Sequence, residues 1–516
     1  MRITFFLLAV FLPLGLTHRI LGIFPLGAKS HDILYQSIAK ELAERGHEVT
    51  VIRSLAASPD TPQGYRELLL SNVEPIVDSF NLNDSFAPSL WNVYRDFSGL
   101  IEMSERVCTS LLESSALSDV LTIHKETPFD LVLIELFATD CPLGIANEMN
   151  LTTIGISPCA LMPWHYDRFN LMDFPSFVPT ESSPFATKMT FWERVENYLI
   201  GKVMKILFRK IQEQDNAILK AHFGRHPRDV DGLAREIALA LVNQHFSVSG
   251  VKPLNPRVVE IGGAHIKYTE GGLAEDVDAF LTSSPTAGVI YINWGSVVRS
   301  SSLPESHLQA LRSALGRLPM HVVWKWESGV PFVNKSERIL VKSWLPQLQI
   351  LCHPKTVLFL THGGLLSANE AAFCGTPVIV TPIFGDQHLN GAALVERGMG
   401  ILLPLDDFSE DTIYARLTEI LKPQYQRQAE QVRLQFRDRL MNPLDTAIWW
   451  IEHIAAEPAA AELLRTLPVD LNYMKSNNFQ DLIPLIWAAF ATVIGFCLLV
   501  LVAIPGFVRK LKEKFA

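Results

Sequence analysis

Residues 344–390 constrain this chain more than any other stretch. They run through an apolar segment, a pair of glycines, a helix-forming segment, a second apolar segment and a polar loop. The run Val357-Leu358-Phe359-Leu360-Thr361 is short, β-rich and without alternation, as expected of a strand covered on both faces in a parallel α/β sheet. It ends at His362-Gly363-Gly364, where two glycines allow a tight turn and close approach of the backbone to a ligand. Residues 365–373 have helical composition, which turns unsatisfied amides and the positive dipole end toward that turn, ready for phosphate. Ser367 and Glu370, three residues apart, share one helical face. Residues 377–382 read as the next strand and end in the polar loop Gly385-Asp386-Gln387. All the polar groups therefore emerge at the carboxyl ends of adjacent strands, where open α/β sheets bind ligands. The segment suits a nucleotide diphosphate.

The order Trp344-x-Pro346-Gln347, then His362-Gly363-Gly364, Glu370, Gly375-x-Pro377 and Asp386-Gln387 resembles the donor-binding signature of the UDP-glycosyltransferases. The resemblance implies the GT-B fold, an α/β architecture of two Rossmann-like domains facing a cleft, and transfer of sugar to small lipophilic molecules. It implies that Trp344 stacks on uracil and that Gln347 helps to hold the nucleoside. His362, with the Gly364 turn and Ser367, would bind the diphosphate, Glu370 the ribose hydroxyls, and Asp386 and Gln387 the sugar hydroxyls. Many members have Asn four residues after the histidine. This chain has Leu366, so phosphate binding must rest on backbone amides and Ser367. The run Val289-Ile290-Tyr291-Ile292-Asn293 is the first strong strand of the same domain, and in the family the Gly295-Ser296 turn that closes it lies close to the phosphates. The UDP-sugar is a substrate in this scheme, with no cofactor and no metal expected. The Asp276-Val277-Asp278 string matches a metal-binding motif of another glycosyltransferase architecture, but here it lies in a helix-like run, 273–281.

The other domain opens as a βαβ unit: an apolar strand at 19–25, a helix at 30–45 with Ser30 as its N-cap and Gly46 as its stop, and a strand at 47–52. His31 follows the first strand and its Gly27 turn, where the family places its catalytic base. A hydroxyl is a poor nucleophile until a neighbour takes its proton, which a histidine can do near neutral pH. His47 follows a helix stop and reads as structural. Two carboxylates compete to orient His31 and stabilise its positive charge. Glu135 lies on the strand at 129–137, and Asp140 at the start of the next helix, 142–149. Asp140 is preferred for its shorter side chain, while Glu135 could reach from the strand end. Residues 158–225, rich in Phe, Met, Trp and Pro with irregular periodicity, read as loops and helices lining an apolar acceptor cleft. Asn442-Pro443 opens a helix that related chains use to cross back onto the first domain.

At 516 residues and 48% hydrophobic composition, the chain exceeds one typical core. Its net charge of -9 gives no basic footprint for nucleic acid. The expected organisation is a signal peptide at 1–17, an acceptor domain at 18–250, a donor domain at 251–440, a crossing helix and membrane-proximal segment at 441–481, a transmembrane helix at 482–508 and a basic tail at 509–516. The uncharged run 482–508 is long enough for a bilayer core of about 30 Å. Arg509, Lys510, Lys512 and Lys514 then place the tail in the cytosol. The ending Lys512-Glu513-Lys514-Phe515-Ala516 resembles a dilysine signal that keeps type I proteins in the endoplasmic reticulum membrane. Sequons at Asn83, Asn150 and Asn334 agree with lumenal catalytic domains. A single span leaves room for a homodimer. Cys108, Cys141, Cys159, Cys352 and Cys374 show no paired spacing, and with Cys497 in the span neither a disulfide framework nor a zinc site is expected. UDP-glucose is the donor implied by likeness to the invertebrate branch, with UDP-glucuronate left open. A non-catalytic, membrane-tethered lipophile-binding protein is the contrary class.

Overall fold

The computed structural model of the protein describes residues 17–465, apart from 72, 74, 75, 77–79, 83–89, 225–227, 270, 285–287 and 328–336, and residues 486–500 apart from 498. In chain order the strands are β1 (Arg19–Phe24), β2 (Glu48–Arg53), β3 (Tyr65–Leu69), β4 (Phe80–Asn81), β5 (Leu131–Glu135), β6 (Thr152–Ser157), β7 (Leu239–Val242) and β8 (Val258–Glu260). They continue as β9 (Val289–Asn293), β10 (Val298–Arg299), β11 (His321–Lys325), β12 (Ile339–Lys342), β13 (Thr356–Thr361), β14 (Val378–Val380) and β15 (Gly400–Leu402). Unalternated apolar runs such as β5 and β9 are buried along their whole length, because helices cover both faces of a parallel sheet.

Two all-parallel sheets result, one of seven strands in the order β3-β2-β1-β5-β6-β7-β8, the other of six in the order β12-β11-β9-β13-β14-β15. Each reverses its direction of winding once, between β1 and β5 in the first and between β9 and β13 in the second. At such a switch point the connecting helices leave on opposite faces, and a crevice opens at the strands' carboxyl ends. β4 pairs in parallel with β10, linking a loop of the first half to the second. The helix Pro443–Ala456, N-capped by the Asn442 side chain, returns to the first half. There Leu444, Ala447, Ile448, Ile451 and Ile454 join Leu34, Ile38 and Leu42 in one core. Residues up to Arg465 form one compact unit.

Two sequence expectations change, and a third gains detail. The first helix is Lys29–Glu44, with Ala28 at its N-cap in extended conformation and no side-chain capping bond, so Ser30 is already inside the helix rather than its cap. The segment 158–225 is made of loops and helices, as expected, with more helix than its periodicity suggested. It contains a 33-residue helix, Phe191–Phe223, entered through a Thr190/Glu193 capping box and stopped by left-handed Gly224. Its buried stripe has helical spacing but includes Asn197, Gln212 and Asp215, and these polar members break the apolar periodicity. Four cysteines form disulfides, Cys108–Cys141 and Cys352–Cys374. Their sequence separations of 33 and 22 match no recognisable framework, since each pair meets only after helices pack.

No helix among the described residues is long and apolar enough to cross a membrane. Of the expected span, 486–497 is helical, whereas 482–485, 498 and 501–508 lie outside the described residues. The expected signal up to residue 16, the basic tail and the sequons at Asn83 and Asn334 lie outside them too.

Candidate active site

The second switch point carries the diphosphate-suited residues. β9 ends at Asn293 and β13 leads into His362-Gly363-Gly364, so the two loops lie side by side. Gly295 has φ +87°, and a Cβ there would come within 2.6 Å of the His362 ring. A Cβ on Gly364 would come within 2.5 Å of His362 Nε2. Two bare backbones therefore clasp the imidazole, and neither position tolerates a side chain without moving it. Removal from water, with the Lys325 ammonium nearby, lowers the His362 pKa to about 3, so the ring is neutral and can donate one hydrogen bond. The helix Leu365–Cys374 begins beside it at Gly364 with no side-chain cap, directing its first amides toward the same space.

Gln347 starts the short helix Gln347–Leu351 and braces this site internally. Its Oε1 accepts from Asn293 Nδ2 at 2.7 Å, while Nε2 donates to Ser367 Oγ at 3.0 Å and to Glu370 Oε2 at 2.6 Å. Asn293 Oδ1 in turn accepts from the Gly295 amide at 2.9 Å. The Lys325 ammonium donates to the Gly295 carbonyl at 2.8 Å and to Glu327 at 2.9 Å. Trp344 is half exposed and carries the Lys29 ammonium 3.3 Å above its ring. In the loop 385–387, Asp386 accepts from Asn390 Nδ2 at 2.9 Å. The Gln387 side-chain oxygen accepts from the amides of Ile383 and Phe384, which leaves its nitrogen as the side chain's donor.

The first switch point holds a histidine and a carboxylate. His31 lies in the first turn after β1 and Glu135 is the last residue of β5, the neighbouring strand. His31 Nδ1 is 2.9 Å from Glu135 Oε1, with both side chains largely shielded from water. Phe137 packs its ring edge-on against the imidazole, with centroids 4.9 Å apart. With Nδ1 held by the carboxylate, Nε2 is the nitrogen left for a proton.

Asp140 does not play that part. It accepts from Arg168 Nη2 in a buried ion pair and from Gln212 Nε2 at 3.0 Å. Its neighbour Asp215 accepts from the Asp140 amide and the Thr139 hydroxyl. Burial and the Asp140 charge push the Asp215 pKa up to about 8. The shorter side chain that favoured Asp140 turns into the helices instead, where Arg168 and Gln212 engage it, while the longer Glu135 reaches His31.

Both switch points open into one cleft of about 1220 Å³. His31, Trp344, Gln347, His362, Gly364, Ser367, Glu370, Asp386, Gln387 and Ser296 line it. On the His31 side its wall is apolar, with Leu100, Met103, Val107, Phe137 and Trp164 among the lining residues. That combination suits a lipophilic molecule beside a nucleotide.

Comparison with known proteins places the chain in a family. The family model described as "UDP-glucoronosyl and UDP-glucosyl transferase" matches residues 22–513. The chain belongs to the UDP-glycosyltransferase family. It is 32% identical over 480 residues to UDP-glycosyltransferase UGT5 of Dactylopius coccus, covering 90% of this chain and 88% of that protein. It is 28% identical over 485 residues to human UDP-glucuronosyltransferase 1A6, covering 90% and 87%. Among solved structures, a UDP-glucosyltransferase from Polygonum tinctorium aligns with a TM-score of 0.59 at 16% identity, covering 86% of this chain and 99% of that one. That likeness shows the GT-B fold.

This UDP-glycosyltransferase also uses residues that the sequence did not single out. Asn293 looked like the end of a strand, yet it links the Gly295 turn to Gln347. Lys325 read as the end of another strand, and its buried ammonium holds the Gly295 carbonyl. His265 approaches Glu370 at 3.5 Å from a loop with no motif. A polar residue closing an apolar run was the one available signal for Asn293 and Lys325. Among the described residues, one group of three side chains could hold a metal ion: Cys159, Glu181 and Asp386. Asp276 instead lies on the helix Glu275–Thr282 and pairs with Lys342.

Proposed function

We propose that the chain transfers glucose from UDP-glucose to a hydroxyl of a small lipophilic acceptor, with inversion. The acceptor hydroxyl gives its proton to His31 Nε2, and its oxygen attacks the anomeric carbon of the UDP-α-sugar. The bond to the diphosphate breaks as the β-glycoside forms, and UDP carries away the electron pair. Glu135 orients His31 and stabilises the imidazolium that develops. His362, Ser367 and the amides at the start of the helix Leu365–Cys374 stabilise charge growing on the diphosphate. Glu370 holds the ribose, and Asp386 and Gln387 the sugar. No metal takes part in this scheme.

The observation that carries the reading is the His31–Glu135 pair, 2.9 Å apart, opening into the same cleft as His362 and its two glycines. Two disulfides support an oxidising compartment, and with it the lumen of the endoplasmic reticulum, the chain being anchored by its C-terminal span. A second reading, transfer from UDP-glucuronate, is favoured by the mammalian relatives named as UDP-glucuronosyltransferases.

Membranes from cells expressing the chain or His31→Ala, given UDP-glucose or UDP-glucuronate with phenols and aliphatic alcohols, test the proposal by mass spectrometry. A hexoside made only by the unmodified chain is the expected result. Equal product from both would remove His31 from the mechanism. UDP binding without product from either would favour a lipophile-binding protein.

A further inference from the structure

Glu181 has no role in the scheme above, yet it is the most unusual carboxyl in the cleft. It belongs to the irregular segment before the long helix and is 3% exposed. Neither of its carboxyl oxygens has a hydrogen-bond partner, although the residue lines the cleft. Ser182, next in the chain, has φ +66°, a strained conformation for a residue with a side chain. A buried carboxyl without a hydrogen-bond partner is destabilising unless something completes its bonding. One oxygen of Glu181, one of Asp386 and the Cys159 sulfur all lie within 4.8 Å of one another. Atoms this close together can be met by one bound group.

Two carboxylates this close in a buried site do not both ionise readily. Asp386 is pushed up to about 6 by burial, with the Asn390 donor and the nearby His31 acting in the opposite direction. Glu181 is pushed well above the ordinary range by burial and by Asp386, against the pull of the Lys252 ammonium. Lys252 is itself lowered by burial and donates to Gln244 at 3.3 Å. The Cys159 thiol is raised by burial and by the same two acids, so it stays neutral. Near neutral pH the shared proton therefore rests on Glu181, leaving Asp386 charged. Glu181 offers a proton and Asp386 an acceptor, and a neutral hydroxyl between them satisfies both.

We propose that Glu181 is a donor-selecting residue, which together with Asp386 grips the hydroxyl on C6 of the sugar from both sides and admits a neutral hexose in preference to a uronic acid. A uronate carboxylate could accept from Glu181, but it has no proton to give Asp386 and carries the same charge. The inference rests on the reading of Asp386 as a sugar contact, and it supplies a physical reason for glucose over glucuronate.

The test compares Glu181→Leu, Glu181→Gln and Asp386→Asn with the unmodified chain, using KM for UDP-glucose and UDP-glucuronate, and calorimetric binding of UDP and of both intact donors. Glu181→Leu is expected to raise the UDP-glucose KM about tenfold while UDP itself binds as before. Glu181→Gln, which keeps a donor, should lose less, and its KM for UDP-glucose should be flatter with rising pH than that of the unmodified chain, in which Glu181 can lose its proton. Asp386→Asn should narrow the preference for UDP-glucose over UDP-glucuronate.

An unchanged UDP-glucose KM in Glu181→Leu, or equal use of both donors by the unmodified chain, would overturn the proposal and leave glycosyl transfer standing. If Glu181→Leu does not fold, the Glu181→Gln pH profile decides alone, and a rise in KM like that of the unmodified chain counts against the proposal. A chain that binds UDP but turns over neither donor would overturn glycosyl transfer instead. The binding of the two intact donors would then still report on the selection, with equal affinities counting against it.

Discussion

Replacing Glu135 by Gln removes one charge while keeping the shape of the side chain, so its effect isolates the electrostatic support of His31. In the proposed transition state the imidazole gains a proton beside a carboxylate 2.9 Å from Nδ1, which puts the charge centres about 4 Å apart. At an effective dielectric near 20 a full ion pair at that separation is worth about 4 kcal/mol, and a half-transferred proton about half of that. With roughly 1.4 kcal/mol per factor of ten in rate, kcat should fall between about 30-fold and 1000-fold. The donor residues lie on the other half of the fold, so UDP binding should not change. Asp140→Asn should behave in the opposite way. It weakens a buried pair with Arg168, at a cost approaching ~3–5 kcal/mol for loss of one partner, and its signature is a lower Tm with near-normal kcat in the folded fraction. Initial rates with UDP-glucose and a phenol, thermal melts and UDP titrations on the three proteins distinguish these patterns. A Glu135→Gln protein with normal kcat, or an Asp140→Asn protein with normal Tm and a collapsed rate, would refute the assignment of Glu135.

Gly364→Ala keeps an allowed backbone, φ -59°, but its Cβ would lie 2.5 Å from His362 Nε2. Calorimetry should show UDP affinity about tenfold weaker, since one hydrogen bond to a phosphate is displaced. For His362 the folded pKa of about 3 lies below the unfolded value of about 6.5, so its contribution to stability is fully present above pH 6.5 and is lost as pH falls toward 3. Melting curves should therefore show a shallower loss of Tm on acidification for His362→Asn than for the unmodified chain, in buffers from pH 7 to 4. Replacing Cys352 and Cys374 by Ser opens a loop of 22 residues, which should cost about 3 kcal/mol. It should also weaken UDP binding, because that bond ties together the ends of the helices carrying Gln347 and Glu370.

The donor half was legible in the sequence because its information is local. An unalternated strand, a glycine turn and a helix start follow one another within residues 356–374, and each constrains the next. The acceptor half was less legible because its decisive contacts join distant residues. Whether Glu135 or Asp140 meets His31 depends on Arg168 and Gln212, which lie 28 and 72 residues beyond Asp140. Neither can be positioned before the long helix packs. The helix itself was obscured by the buried polar residues that satisfy this network. The cysteine pairs were missed for a related reason, since helix packing rather than spacing brings them together. Glu181 carried no signal at all. A lone Glu in an irregular segment reads as solvated until its surroundings are known.

The two halves of the site are stabilised in different ways, with a mechanical consequence. Cys108–Cys141 closes within the first half and Cys352–Cys374 within the second, so each staples one wall of the cleft and neither crosses it. Among the contacts that cross are the two-residue pairing of β4 with β10, the Asn369 Nδ2 bond to Asn243 Oδ1 at 3.2 Å, the Lys29 ammonium over Trp344, and the returning helix Pro443–Ala456, whose five buried apolar residues dock it in the first half's core. The polar contacts among these contribute about 1 kcal/mol each and exchange readily with water or ligand, whereas the helix is held by apolar burial. Each disulfide therefore stiffens one wall of the cleft, while the polar contacts between the walls are weak enough for a bound nucleotide to rearrange around the docked returning helix.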